Sequence, residues 1–176
     1  MLAEGATHRQ YSLAGVTEIR IWTHGGNDNI DLSGTTINAL VSGGAGNDVI
    51  TGGAGNDVIY GGADDDAITG AAGYDFLIGG GGADRIVGSA GNDILVAGGV
   101  GCDQTLALLL AIAAEWNSSR ASTVEEVEAI DDGIIETDTD VLTGSAGADW
   151  FILSMEDIIT EAAKARSQQG DLVTYV

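Results

Sequence analysis

Aspartates at a constant offset are the chemistry-bearing feature of this chain. Asp48, Asp57, Asp66, Asp75, Asp84, Asp93 and Asp103 each stand sixth in a nine-residue block that opens on glycine-rich sequence, with one extra residue, Ala97, before the last block. Carboxylates combined with the carbonyl oxygens of glycine turns make an all-oxygen donor set, which hard divalent cations prefer. Two His and one Cys leave no donor cluster for zinc. The chain has no HExxH and no GxSxG, so neither zinc-protease nor serine-hydrolase chemistry is visible. Carboxylate pairs can serve glycoside hydrolysis, but here the aspartates are spaced by a repeat and not gathered in a cleft. A binding module is expected, not an enzyme.

The elements that place these aspartates are legible in the same blocks. GGAGNDVIT (43–51), GGAGNDVIY (52–60), GGADDDAIT (61–69), GAAGYDFLI (70–78), GGGGADRIV (79–87) and GSAGNDILV (88–96) follow one another in register, and GGVGCDQTL (98–106) follows Ala97. Glycine at the first, second and fourth places permits positive φ and close backbone approach, so the turn can aim carbonyl oxygens inward. The last three places form a short strand whose middle residue (Ile50, Ile59, Ile68, Leu77, Ile86 and Leu95) points into a core. A six-residue turn with a three-residue strand cannot bury its apolar side alone; stacked copies can. THGGNDNID (23–31) fits upstream with Asp28 sixth, followed by a degenerate stretch over 32–42. IETDTDVLT (135–143) and GSAGADWFI (144–152) fit downstream with Asp140 and Asp149 sixth.

Composition agrees. The 176 residues include 28 Gly and no Pro, as suits a backbone whose N–H groups are used in ladders. A formal charge of −21 argues against nucleic acid or an anionic membrane as partner and favours a cation. The longest apolar run, 106–114, is about half a membrane span, so no membrane insertion is expected. The N-terminus has no basic and apolar signal-peptide pattern. Cys102 is alone, so no internal disulfide is expected.

The blocks resemble the RTX, or hemolysin-type calcium-binding, repeat GGxGxDxUx, in which U is a large aliphatic residue. The resemblance covers 23–103 and 135–152. It implies an all-β fold, a right-handed parallel β-roll (a β-solenoid), with two blocks per coil and equivalent turns recurring on alternate edges. Asp48, Asp66 and Asp84 then stack on one edge, and Asp57, Asp75 and Asp93 on the other. Carboxylates roughly 5 Å apart at an effective dielectric near 20 repel by about 3 kcal/mol. Several such contacts rival a whole domain's stability of about 5–15 kcal/mol, so the stack calls for a cation between coils. Ca²⁺ suits it better than Mg²⁺, which keeps its waters and demands octahedral geometry.

Each RTX site, as the resemblance implies, takes the second and fourth carbonyls and the Asp of one block. It adds the first and third carbonyls and the Asp of the block two further on. The implied sites are Gly44, Gly46, Asp48, Gly61, Ala63 and Asp66; Gly53, Gly55, Asp57, Gly70, Ala72 and Asp75; Gly62, Asp64, Asp66, Gly79, Gly81 and Asp84; and Ala71, Gly73, Asp75, Gly88, Ala90 and Asp93. Asp64 and Ala71 depart from the glycine pattern while keeping a carbonyl. Further sites joining Asp28 to Asp48 and Asp84 to Asp103 bring the expectation to about four to six Ca²⁺ ions; Asp93 with Asp140 is a further pairing. Asp64 and Asp65 read as solvated acids. His8 and His24 read as solvent-exposed, with the His24 carbonyl available to the first coil.

The outward places differ between the two sheets. Val49, Thr51, Ala67, Thr69, Arg85 and Val87 make a mixed surface. That surface lacks the regular Thr array an ice-binding face needs. Val58, Tyr60, Phe76, Ile78, Ile94 and Val96 make an apolar one, which calls for a cover. Leu106, Leu109, Leu110, Ala113 and Trp116 recur at helical spacing, and Ser122-x-x-Glu125 is a capping box. A helical insertion over 104–134 is therefore expected on the apolar sheet, a partner chain being the alternative cover. The organisation expected is a lead-in strand in 1–22, the roll over 23–103, the insertion over 104–134, and over 135–176 a last coil, a capping helix near 155–166 and a tail. RTX proteins commonly leave the cell through a one-step exporter that reads an uncleaved C-terminal signal. The tail DLVTYV is similar to such a signal and reads equally as a last strand. The resemblance thus implies a secreted, extracellular or cell-surface module, or an adhesive segment of a larger surface protein.

Overall fold

Extended aliphatic triplets alternate with glycine bends, and in the computed structural model, which describes residues 12–98, 138–147, 149–153, 157–159 and 172–175, these units stack into two sheets. One sheet holds β1 (Ile19–Trp22), β3 (Ala39–Ala45), β5 (Val58–Ala63), β7 (Phe76–Gly81), β9 (Ile94–Gly98), β11 (Trp150–Leu153) and β13 (Leu172–Tyr175), neighbours in that order. The other holds β2 (Asn29–Asp31), β4 (Val49–Thr51), β6 (Ala67–Ala72), β8 (Arg85–Ala90), β10 (Val141–Ala146) and β12 (Ile158–Ile159). Every pairing is parallel and the chain changes sheet after every strand. This is the expected parallel β-solenoid, and the lead-in strand is β1. The described residues contain no helix.

The register puts equivalent repeat places over one another: Ile50 pairs with Ile68 and Ile68 with Ile86, while Ile59 pairs with Leu77 and Leu77 with Leu95. These eighth-place side chains, with Leu142 and Phe151 from the downstream blocks, form the interior and are shut off from water. Each contributes about 1.5–3 kcal/mol by burial. The strands are longer than the triplets. β5 to β8 each run six residues, because pairing continues into the turn, as in Gly62 with Gly80 and Ala63 with Gly81.

The outer faces also differ as expected, with one addition. Val49 and Arg85 are exposed on the six-stranded sheet. On the seven-stranded sheet Val58, Phe76, Ile78, Ile94 and Val96 are buried and Tyr60 half-buried, although none belongs to the interior cluster. That face is not open to water within this single chain. The helical insertion proposed to cover it, 104–134, lies outside the described residues.

The downstream end corrects the sequence reading. The expected capping helix near 155–166 is interrupted by β12, which pairs with β10 through Val141–Ile158 and Leu142–Ile159. Asp157 precedes it as Asp140 precedes β10, and Asp157 Oδ1 accepts the Asp140 N–H at 3.1 Å. Asp157-Ile158-Ile159 is thus one more aspartate–strand unit, eight residues after Asp149 instead of nine. In the tail, Leu172–Tyr175 is a strand in register with Trp150–Leu153.

Candidate metal centre

The sheets run into two edges, and each edge carries a file of aspartates. On one, the Asp28 N–H donates to Asp48 Oδ1, Asp48 to Asp66, Asp66 to Asp84 and Asp84 to Asp140, at 2.5–2.8 Å. On the other, the Ala39 N–H donates to Asp57 Oδ1, Asp57 to Asp75, Asp75 to Asp93 and Asp93 to Asp149, at 2.8–3.0 Å. The predicted stacking of Asp48 with Asp66 and of Asp57 with Asp75 is therefore present. Two pairings differ. Asp84 meets Asp140; its expected partner Asp103 lies outside the described residues. Asp93 meets Asp149, not Asp140. At the start of the second file Ala39 stands where an aspartate would.

One oxygen of each carboxylate is thus committed to the coil before it. The other is the reactive feature. Oδ2 of Asp28, Asp48, Asp66, Asp75, Asp93 and Asp140 is buried without a hydrogen-bond partner. A buried polar atom left this way costs about 1–3 kcal/mol, and more when charged. Burial accordingly pushes Asp66 up to about 6, Asp93 and Asp140 to about 7 and Asp75 to about 8, and raises Asp57 as well. Neighbouring carboxylates add to the rise, Asp93 and Asp57 acting on Asp75, and Asp149 on Asp93. Backbone N–H donors pull the other way. Asp48, Asp57, Asp75 and Asp140 are at most 1% exposed, so water does not relieve them.

At six rungs Oδ2 lies beside a carbonyl of the next coil across a gap that only glycine leaves open; at one of them, Asp57, Oδ2 also accepts the Gly53 N–H at 2.8 Å. A Cβ built on Gly43 would stand against both Asp48 Oδ2 and the Gly61 carbonyl oxygen. The same holds for Gly52 with Asp57 and Gly70, Gly61 with Asp66 and Gly79, Gly70 with Asp75 and Gly88, Gly79 with Asp84 and Ala97, and Gly88 with Asp93 and Gly144. The first-place glycine thus leaves a cradle between a carboxylate and a carbonyl of the next coil. Predicted ligands Gly61, Gly70, Gly79 and Gly88 take this place with their aspartates.

The other predicted ligands line the same turns. The carbonyls of Gly44, Gly62, Gly55, Gly73 and Asp64 face Gly62, Gly80, Gly73, Gly91 and Gly82 of the next coil. Those of Gly53, Ala63 and Ala90 accept N–H groups from Ala72, Gly46 and Gly73. Ala71, like Asp64, takes a positive φ where glycine stands elsewhere, and Ala72 pairs with Ala90. Gly46 carries a positive φ, whereas Gly81 has open space beside it. The exposed His24 offers its carbonyl to the Ala45 N–H.

Sequence reasoning missed the fifth repeat place. Asn27 Oδ1 accepts the Asn47 N–H, Asn38 that of Asn56, Asn56 that of Tyr74 and Asp65 that of Ala83, at 2.8–3.1 Å. Asp64 Oδ2 accepts the Gly46 N–H at 3.1 Å, so Asp64 and Asp65 are exposed but not merely solvated. The recurrent Asn before Asp was the available signal.

Among the described residues no three His, Cys, Asp or Glu side chains converge. A cation here would be held by the paired carboxylates and by backbone carbonyls, the hard all-oxygen environment of Ca²⁺. The orphaned oxygens and the glycine cradles fit such an ion. The first rung differs: Thr23 stands where the others have glycine, and its hydroxyl donates to the Gly43 carbonyl at 2.5 Å. The sequence-predicted site joining Asp28 to Asp48 therefore has its cradle filled by a side chain.

Residues 42–77, 72–99 and 136–153 match the family model of the RTX calcium-binding nonapeptide repeat. No curated protein and no solved structure matches the chain. The matched residues are those whose turns build the cradles, so residue pattern, coil geometry and family model coincide, and these segments are RTX calcium-binding nonapeptide repeats.

Proposed function

We propose that this chain is a calcium-binding module whose coils close around their ions and depend on them to fold. The observation that carries the reading is the buried Oδ2 atoms of Asp48, Asp66, Asp75 and Asp93, which have no hydrogen-bond partner and each lie beside a carbonyl of the next coil. Six cradles, at Asp48, Asp57, Asp66, Asp75, Asp84 and Asp93, set the expected number of ions. At the roughly 10⁻⁴–10⁻³ M affinity of extracellular calcium modules, the coils stay open in a low-calcium cytosol and close outside the cell. Binding free energy is then folding free energy. Export through a one-step exporter follows naturally from a chain that is unfolded inside, and the strand-forming tail would be read before it pairs. The aspartates serve as ligands and structural acceptors, and no catalytic role is assigned to them. Far-UV circular dichroism of metal-stripped protein at neutral pH, followed by calcium titration, tests this. The β signal is expected to appear cooperatively with calcium, and a full β spectrum in verified metal-free protein would refute the reading.

The first rung supplies a second test. Thr23→Gly opens the cradle that the Thr23 side chain now fills, and is expected to add one calcium ion to the count in native mass spectrometry. An unchanged count would show that Asp28 and the Gly43 carbonyl do not suffice.

A further inference from the structure

We propose that the calcium site on Asp84 is split by a long excursion of the chain, and that the ion bound there acts as its clasp. This rests on the calcium reading above and concerns which residues close one rung. Before the excursion, Gly98 pairs with Gly80, so Ala97 holds the first turn place, and its carbonyl lies with Asp84 Oδ2 at the cradle of Gly79. After it, Val141 pairs with Arg85, and Asp140 Oδ1 accepts the Asp84 N–H at 2.5 Å. From Asp48 to Asp84 successive members of this file are 18 residues apart; Asp84 and Asp140 are 56 apart, as are Asp93 and Asp149 on the other edge. The excursion therefore leaves and re-enters the solenoid inside one cation-binding turn, with a carbonyl ligand on its near side and a carboxylate on its far side. Asp140 is fully buried and its Oδ2 has no hydrogen-bond partner, so the carboxylate that meets Asp84 through Oδ1 carries an uncompensated charge.

The consequence is an order of binding. Closing a 56-residue loop instead of an 18-residue one costs roughly fivefold in the closure constant, from the three-halves power of loop length. The ion at Asp84 binds after those of the uninterrupted coils as calcium rises, together with the ion at Asp93, whose rung spans the same 56 residues, and β10 docks with it. The alternative is the intact GGVGCD stretch, 98–103, with Asp103 closing the rung in its own local turn.

The test uses the full chain, titrated with calcium and followed by hydrogen exchange of β6 and β10 and by native mass spectrometry. In the unaltered protein, protection of β10 is expected to need about fivefold more calcium than protection of β6. Asp140→Asn keeps an acceptor for the Asp84 N–H while removing the charged ligand. It is expected to lower the ion count and abolish the calcium-dependent protection of β10, with β6 unchanged. Asp103→Asn is expected to change neither. Loss of an ion and of β10 protection in Asp103→Asn, or retention of both in Asp140→Asn, would overturn the split site. Failure of calcium to protect β6 in the unaltered chain would instead refute the calcium reading itself.

Discussion

Gly61→Ala is expected to remove one bound calcium and destabilise the calcium-loaded solenoid by about 2–4 kcal/mol. Gly81→Ala, at the third turn place, should leave the ion count intact and change stability by less than about 0.5 kcal/mol. Neither glycine has a positive φ, so backbone strain does not separate them. Surroundings do. A Cβ on Gly61 would press on Asp66 Oδ2 and stand 2.6 Å from the Gly79 carbonyl oxygen, whereas one on Gly81 meets nothing within 4 Å. Asp66 is tied through Oδ1 to the Asp48 N–H and the Gly79 oxygen is backbone, so the methyl has little room to be accommodated. Overpacking of this kind costs about 1–3 kcal/mol. An ion at ten times its dissociation constant contributes about 1.4 kcal/mol more, which is lost with the site. Melting curves in calcium with native mass spectrometry separate the two parts. Equal behaviour of the two variants would mean that the first-place gap is not where the cation sits.

That contrast also indicates what could be read before the fold was in view. The aspartate file and the aliphatic eighth place were legible because one period repeats without interruption from 43 to 96. A period of nine with two blocks per coil places Asp48 by Asp66 and Ile50 by Ile68 without reference to anything distant. The rungs beyond Ala97 were not legible in this way. GGVGCD keeps the local motif, so spacing alone favours Asp103. Loop-closure cost grows too slowly with length to forbid the distant Asp140, and the pairing is settled by how β10 lies on β8. Asp157-Ile158-Ile159 was hidden for another reason. Its unit is one residue short, and the Glu- and Ala-rich sequence around it carries helical spacing, so a two-residue strand was outweighed by its neighbours. Thr23 follows the same logic. A side chain at the first place is unremarkable in a motif, and its effect emerges only when its hydroxyl is found on the Gly43 carbonyl.

Metal-stripped protein is expected to be most stable as a solenoid in mild acid, near pH 4, and to lose that structure as pH rises through about 6 to 8. The folded coil holds Asp66 at about 6, Asp93 and Asp140 at about 7 and Asp75 at about 8, each from an ordinary value of 3.8. Unfolded, all four ionise near that ordinary value. Between the two ranges the folded state binds more protons than the unfolded one, so stability falls with rising pH. It is fully present below the unfolded value and gone once the folded carboxylates ionise. Moving Asp75 alone from 3.8 to about 8 costs the ionised coil on the order of 5 kcal/mol, comparable to the whole stability of a small domain. A proton can thus neutralise the buried oxygen that calcium otherwise satisfies. Circular dichroism of stripped protein from pH 4 to 8 should show the β signal fading, and calcium added at pH 7.5 should restore it. A metal-free signal that instead strengthens toward pH 8 would mean that these carboxylates do not carry the cost of closing the coil.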